Sequence, residues 1–145
     1  MSFLLVNKRA YFDYEILEKF KAGVELTGHE VKSAKTGRIN IVGAYAIIRG
    51  NEAFLVGAEI SSFQPKNAPE GYDPSRTRRL LLKKEEIRYL FEKIQSGLTL
   101  IPLGVSTERG LIKIELGLAR GKKKHDKRET IKKREVKREI RKFVK

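Results

Sequence analysis

Leu98-Thr99-Leu100-Ile101-Pro102-Leu103-Gly104-Val105, then the turn Glu108-Arg109-Gly110, then Leu111-Ile112-Lys113-Ile114-Glu115-Leu116-Gly117-Leu118-Ala119: these two apolar stretches around a tight turn decide the fold class. In the second, Ile112, Ile114, Leu116 and Leu118 alternate with Lys113, Glu115, Gly117 and Ala119, a period of two that suits a strand with one buried face. An antiparallel hairpin is expected.

Moving toward the N-terminus, Gly97 stops a segment, Leu82 to Ser96, whose Ile87, Leu90, Phe91 and Ile94 fall on one helical face. Gln64 to Pro74 carries Pro65, Pro69, Gly71 and Pro74 and reads as a loop. Ala44–Arg49 and Ala53–Ile60 flank Gly50-Asn51-Glu52, a second hairpin signal. Thr27-Gly28-His29-Glu30 is a capping box, so a short helix should run through Val31 and Ala34 and close near Gly37. Phe12 to Phe20 alternates as a strand before the turn residues Ala22-Gly23, and Val24 and Leu26 follow as a short apolar pair. The total is mainly β: about six strands with two or three helices. Antiparallel hairpins leave edges that must be closed or covered, and a small closed antiparallel barrel of the oligonucleotide-binding type does so. This domain is expected over residues 1–120, with a basic C-terminal tail over 121–145.

The chain has 145 residues, 32 Lys plus Arg against 18 Asp plus Glu, and neither Cys nor Trp. That length supports one domain, which buries ~68–70% of its unfolded surface. Without Cys there is no disulfide and no thiolate cage, as suits a reducing compartment. The longest apolar runs fall far short of the ~20 residues of a membrane span. Met1 to Val6 lacks the layout of a secretory signal. A monomeric cytoplasmic protein without a membrane partner is expected.

The net charge of +14 is unevenly placed: residues 120–145 hold 14 basic and 4 acidic side chains, net +10, and the other 119 hold net +4. A mildly basic body with a strongly basic tail points to a polyanion, nucleic acid before an anionic membrane surface. In the tail, Glu129–Lys133, Glu135–Arg138 and Glu139–Lys142 are helix-supporting pairs worth ~0.2–0.5 kcal/mol each. Its apolar stripe of Ile131, Val136, Ile140 and Phe143 is thin, so disorder when free and helix when bound are expected.

Catalytic material is scarce. The two histidines, His29 and His125, are far from the three or four converging ligands of a metal site. Gly121-Lys122-Lys123-Lys124 lacks the upstream glycine and strand of a phosphate loop. Glu25 and Glu30 could be offered as paired carboxylates, but the capping box accounts for Glu30. No catalytic residue, metal, cofactor or small-molecule substrate is expected, and the protein is not expected to be an enzyme. The remaining candidates suit RNA: Asn7, Lys8 and Arg9; Lys32 and Lys35 on the short helix; Arg76, Arg78 and Arg79 beside the proline loop; and the tail. Tyr11, Phe12, Tyr45 and Tyr72 are available for base stacking, although Tyr45 sits in an alternating strand, where an aromatic reads first as core.

Six blocks in order carry a resemblance: Asn7-Lys8-Arg9-Ala10, Phe20-Lys21-Ala22-Gly23, Gly28-His29-Glu30-Val31-Lys32-Ser33, Tyr72-Asp73-Pro74-Ser75-Arg76-Thr77-Arg78-Arg79-Leu80-Leu81-Leu82, Gly97-Leu98-Thr99-Leu100-Ile101-Pro102-Leu103 and Gly121-Lys122-Lys123-Lys124-His125-Asp126-Lys127-Arg128. Together they resemble the bacterial small protein B, or SsrA-binding protein, family. The resemblance implies a barrel that binds the tRNA-like end of transfer-messenger RNA and brings it to stalled ribosomes for trans-translation, in which the unfinished peptide is tagged and the ribosome freed. It places Asn7, the position of Lys21, and Leu81 where family members contact RNA. The expected RNA-binding set on the body is Asn7, Lys8, Arg9, Lys21, Glu30, Lys32, Arg76, Arg78 and Leu81. Lys122, Lys123, His125, Asp126, Lys127 and Arg128 fall in the tail segment that works in the decoding region and empty message channel. Lys21 replaces an acidic residue common in the family, Tyr11-Phe12 a more polar pair, and Ala34-Lys35-Thr36-Gly37-Arg38 a segment of like charge. A structural ribosomal protein that neutralises rRNA is the alternative reading.

Overall fold

A computed structural model describes residues 2–62 and 70–122. Their elements, in chain order, are β1 (Ser2–Val6), α1 (Lys8–Asp13), β2 (Tyr14–Val24), α2 (Gly28–Lys35), β3 (Ile39–Asn40), β4 (Tyr45–Arg49), β5 (Glu52–Val56), β6 (Glu59–Ile60), β7 (Arg78–Leu81), α3 (Lys84–Gln95), β8 (Thr99–Glu108) and β9 (Leu111–Gly121). The hairpin that opened the sequence reading is β8–β9, turned at Arg109-Gly110. Around it the strands run β1-β8-β4-β5-β7-β2-β9, and the added β8–β9 pairing closes six of them into a ring, as a barrel-type fold requires. β1 extends the ring beside the second half of β8, while β4 meets its first half at Ala46↔Leu100.

Inside the ring, Leu100, Val105, Ile112, Ile114, Leu116 and Leu118 join Ala22, Leu55 and Leu80; Ala34 of α2 and Leu90 of α3 are buried in the same core. A second, smaller core lies outside the ring, where Ala10 of α1 covers Ile101, Leu103 and Ala119, with Tyr11, Tyr14 and Ile16 around it. Two bulges make both cores possible. β2 shifts register between Ile16 and Glu18, so Ile16 faces outward under α1 whereas Phe20, of the same parity, faces inward. β8 shifts between Pro102 and Gly104, which sends Leu103 outward and Val105 inward. One extra residue inverts the face of everything beyond it. Leu103 also needs Gly117 opposite, because a Cβ there would meet Leu103 Cδ1 at 2.7 Å.

The structure departs from the sequence reading at several elements. Phe12 lies in α1, not at the head of a strand, because Asn7 Oδ1 accepts from Ala10 N (3.2 Å) and starts a helix there. β2 runs through Ala22-Gly23, where a turn was expected; Gly23 pairs with both Leu81 and Lys113, and a Cβ on it would press on Leu81 Cβ at 3.3 Å. The expected strand Ala53–Ile60 is two strands in different sheets, broken at Gly57 with φ +83°. β1 and β7 were not anticipated: β7 alternates correctly, but with Arg78 at an inward position normally filled by an apolar residue. On α3, Ile87 and Leu90 are buried as expected, while Phe91 is exposed. The capping box of α2 and the Gly50-Asn51 hairpin stand as expected. Among the described residues no helix is long and apolar enough to cross a membrane. The expectations for the tail beyond Lys122, including Lys123, His125, Asp126, Lys127 and Arg128, lie outside the described residues.

Candidate nucleic-acid interface

The outer face of β1, β8, β9, β2 and β7 is half covered by α1 and half open. On the open half two cross-strand rows lie side by side. One runs Val6, Gly104, Glu115, Lys21. The next runs from the buried Ser106 through Lys113 and Gly23 to Leu81. Leu81 stands 47% exposed beside the bare backbone of Gly23, an apolar step with Lys113 beyond Gly23 and Lys21 in the adjoining row. Lys21 Nζ is 3.3 Å from Glu108 Oε2, and Lys113 has no ion pair among the described residues. Lys19 bridges to the covered half, 3.7 Å from Glu115 Oε1 and 5.5 Å from the Tyr11 ring centroid, and its pKa is raised by Tyr11 first and Glu115 second. Alternating strand geometry is what sends Lys19, Lys21 and Lys113 outward while Phe20, Ala22 and Ile114 fill the core.

α1 begins at the border of that open half, directly after Val6. Asn7 is buried: its Oδ1 caps the helix, its Nδ2 donates to Pro102 O (3.0 Å), and its backbone N donates to Leu103 O (2.8 Å). It therefore acts on a ligand through the helix it places. Lys8 and Arg9 in the first turn are exposed; Arg9 Nε donates to Asp13 Oδ2 (2.9 Å) and its guanidinium lies 5.6 Å from the Phe12 ring centroid. At the far end of α1, Lys122 N donates to Asp13 O (3.0 Å) and Lys122 Nζ to Tyr11 O (3.2 Å), so residue 122 leaves the body against this helix.

Glu30, Arg76 and Arg78 form a different assembly, under the loop that precedes β7. Glu30 is fully buried on α2. Arg78, also buried, donates from Nε (2.9 Å) and Nη2 (2.6 Å) to Glu30 Oε2, from Nη1 to Ala58 O (3.1 Å) and Arg76 O (2.9 Å), and from Nη2 to Pro74 O (2.9 Å). Arg76, partly exposed, donates to both Glu30 oxygens, Nε to Oε2 at 3.1 Å. Tyr72 Oη donates to Ile60 O (2.6 Å) and reaches Glu30 Oε2 at 3.4 Å. Burial pushes the Glu30 carboxyl up, but the hydrogen bonds from Arg76, Thr27 N and Arg78 outweigh it and hold the pKa at about 2. Tyr72 is raised by burial and then by the Glu30 charge. With 0% and 1% exposure, Glu30 and Arg78 have no surface to give a ligand, and they position the loop and Arg76 instead. Lys32 is exposed on α2.

The structure thus brings Lys21 and Leu81 onto one sheet face, sets Lys8 and Arg9 at its border, and leaves Glu30, Arg76 and Arg78 as a separate latch. Sequence reasoning missed Lys113. The strand alternation placed it outward, but only the β2–β9 register puts it opposite Gly23, in the row of Leu81 and next to the row of Lys21. Among the described residues there is no group of three or more His, Asp or Glu side chains that could hold a metal ion.

Comparison with known proteins adds to this geometry. The family model described as SmpB protein matches residues 4–145. The "SsrA-binding protein" of Acaryochloris marina is 50% identical over 140 residues, covering 96% of this chain and 91% of that protein. The "SsrA-binding protein" of Trichodesmium erythraeum is 48% identical, covering 96% and 90%. A chain from the solved structure described as "tmRNA-SmpB: a journey to the center of the bacterial ribosome" superposes with a TM-score of 0.68 at 43% identity, covering 88% of this chain and 93% of the other.

Proposed function

Because the chain belongs to the SmpB protein family, we propose that it binds transfer-messenger RNA at its tRNA-like end and delivers it to stalled ribosomes. The observation that carries this reading is the open half of the outer sheet face, where Leu81 stands beside Gly23, with Lys113 across Gly23 from it and Lys21 in the next row. Lysines take the phosphates, and an exposed leucine on a glycine floor offers a flat apolar contact to a ribose or base. Lys8 and Arg9 extend the charge at the border, and Lys32 and the exposed part of Arg76 add cations on the α2 side. The protein is a cytoplasmic RNA-binding adaptor, monomeric, with no reaction of its own.

Lys122 docked on α1 separates the labour: the body holds the RNA, and residues 123–145 enter the ribosome's decoding region and empty message channel, where rRNA phosphates offset their mutual repulsion and the tail becomes helical. Peptide tagging and ribosome release follow. The test is to capture the full chain from cells and identify its RNA. One dominant species with a tRNA-like end is expected; bulk rRNA would instead make it a structural ribosomal protein. Truncation after Lys122 should leave RNA binding largely intact and abolish ribosome rescue.

A further inference from the structure

A second concave feature lies on the other flank of α1. Asn7, Arg9, Ala10, Asp13 and Tyr14 form one wall, Val42 to Tyr45 the other, and Thr99 and Ile101 the floor, enclosing about 380 Å³. That volume is at the small end of the ~300–1,000 Å³ of ligand pockets. Tyr45 and Val42 at the rim are 45% and 55% exposed, although Tyr45 belongs to a strand whose next residue, Ala46, is buried in the core. Alternation turns the Tyr45 ring outward. Its hydroxyl and that of Thr99 make no hydrogen bond among the described residues, so neither is spent on the fold. Arg9, with its side chain 66% exposed, stands on the opposite wall, held at its Nε by Asp13.

We propose that this groove takes an unpaired nucleobase of the bound RNA, stacked on Tyr45, with Arg9 on the neighbouring phosphate. An aromatic face, an apolar floor from Ile101 and Ala10, the free Thr99 hydroxyl for a base edge and one arginine are the parts that single-strand recognition uses. A paired base could not enter, because the groove is walled by α1 on one side and the Val42–Tyr45 turn on the other. The groove adjoins the α1 turn that carries Lys8 and Arg9, so one RNA can span it and the open sheet face; the inference rests on the RNA-binding reading and deepens it.

The chain has no Trp, so Tyr45→Trp places a lone tryptophan emitter at the site. Binding of transfer-messenger RNA, followed separately by filter retention, should quench that emission, and a blunt duplex of equal length should bind without quenching. Tyr45→Ala should lower affinity ~5- to 150-fold, the loss of one stacked base, with the salt slope unchanged, and Tyr45→Phe should restore it. If the RNA binds but emission does not change, if the duplex quenches equally, or if Tyr45→Ala binds like wild type, the groove assignment is wrong while RNA binding stands. If no RNA is retained, both fail.

Discussion

Replacing Glu30 with Gln keeps the shape of the side chain and removes only its charge. In the folded protein that carboxylate faces two arginines in a buried site, and its pKa falls from an ordinary 4.5 to about 2. At ~1.4 kcal/mol per pKa unit, the ionised form is favoured by folding to the extent of about 3 kcal/mol. Breaking a buried pair from one side costs ~3–5 kcal/mol, which agrees, because Glu30→Gln leaves Arg78 buried with an unmatched charge. At ~4 °C per kcal/mol for a body of this size, Tm should fall by about 10–15 °C at pH 7. The pH dependence has a definite sign. A depressed carboxyl contributes stability that is fully present above the unfolded pKa near 4.5 and is lost as pH falls toward about 2. The gap between wild type and Glu30→Gln should therefore be constant from pH 7 to about 5 and narrow below that. Thermal unfolding of both full chains by circular dichroism at pH 7, 5, 4 and 3 measures it. Taking the difference cancels the general acid destabilisation of so basic a chain. A loss under ~1 kcal/mol at pH 7, or a gap that does not change between pH 5 and 3, would refute the assignment of Glu30 as the charged centre of the latch.

Asn7→Ala removes both the cap of α1 and the bond to Pro102 O, and should cost ~2–3 kcal/mol in urea unfolding. Its RNA affinity should fall, because the helix that carries Lys8 and Arg9 loses its anchor. Lys113→Ala should leave stability unchanged and reduce the slope of log affinity against log salt by ~0.7–0.9, read by filter binding between 50 and 200 mM salt.

Much of the molecule is legible in the chain itself. Period-two alternation in Leu111–Ala119 assigns a strand and its buried face, and a capping box at Thr27–Glu30 starts a helix where the structure has one. What the chain does not show has a common cause. Asn7 and Glu30 are each buried by partners distant in sequence, Pro102 for the first and Arg76 and Arg78 for the second. Tyr45 looks like core and is exposed, because the inward positions of β4 are taken by the alternate residue.

The sequence alone determined what local chemistry dictates: the β8–β9 hairpin, the helices α2 and α3, that the chain is mainly β, where the charge lies, and which ordered blocks tie it to its family. Only the tertiary structure decided which side chains meet. A strand's periodicity says that its faces differ, but a single extra residue, at Leu17 in β2 or Leu103 in β8, exchanges them, and that bulge exists only in relation to the paired strand. For the same reason Lys21, Lys113 and Leu81, scattered over three strands, become one surface through register, a property of hydrogen bonds between strands.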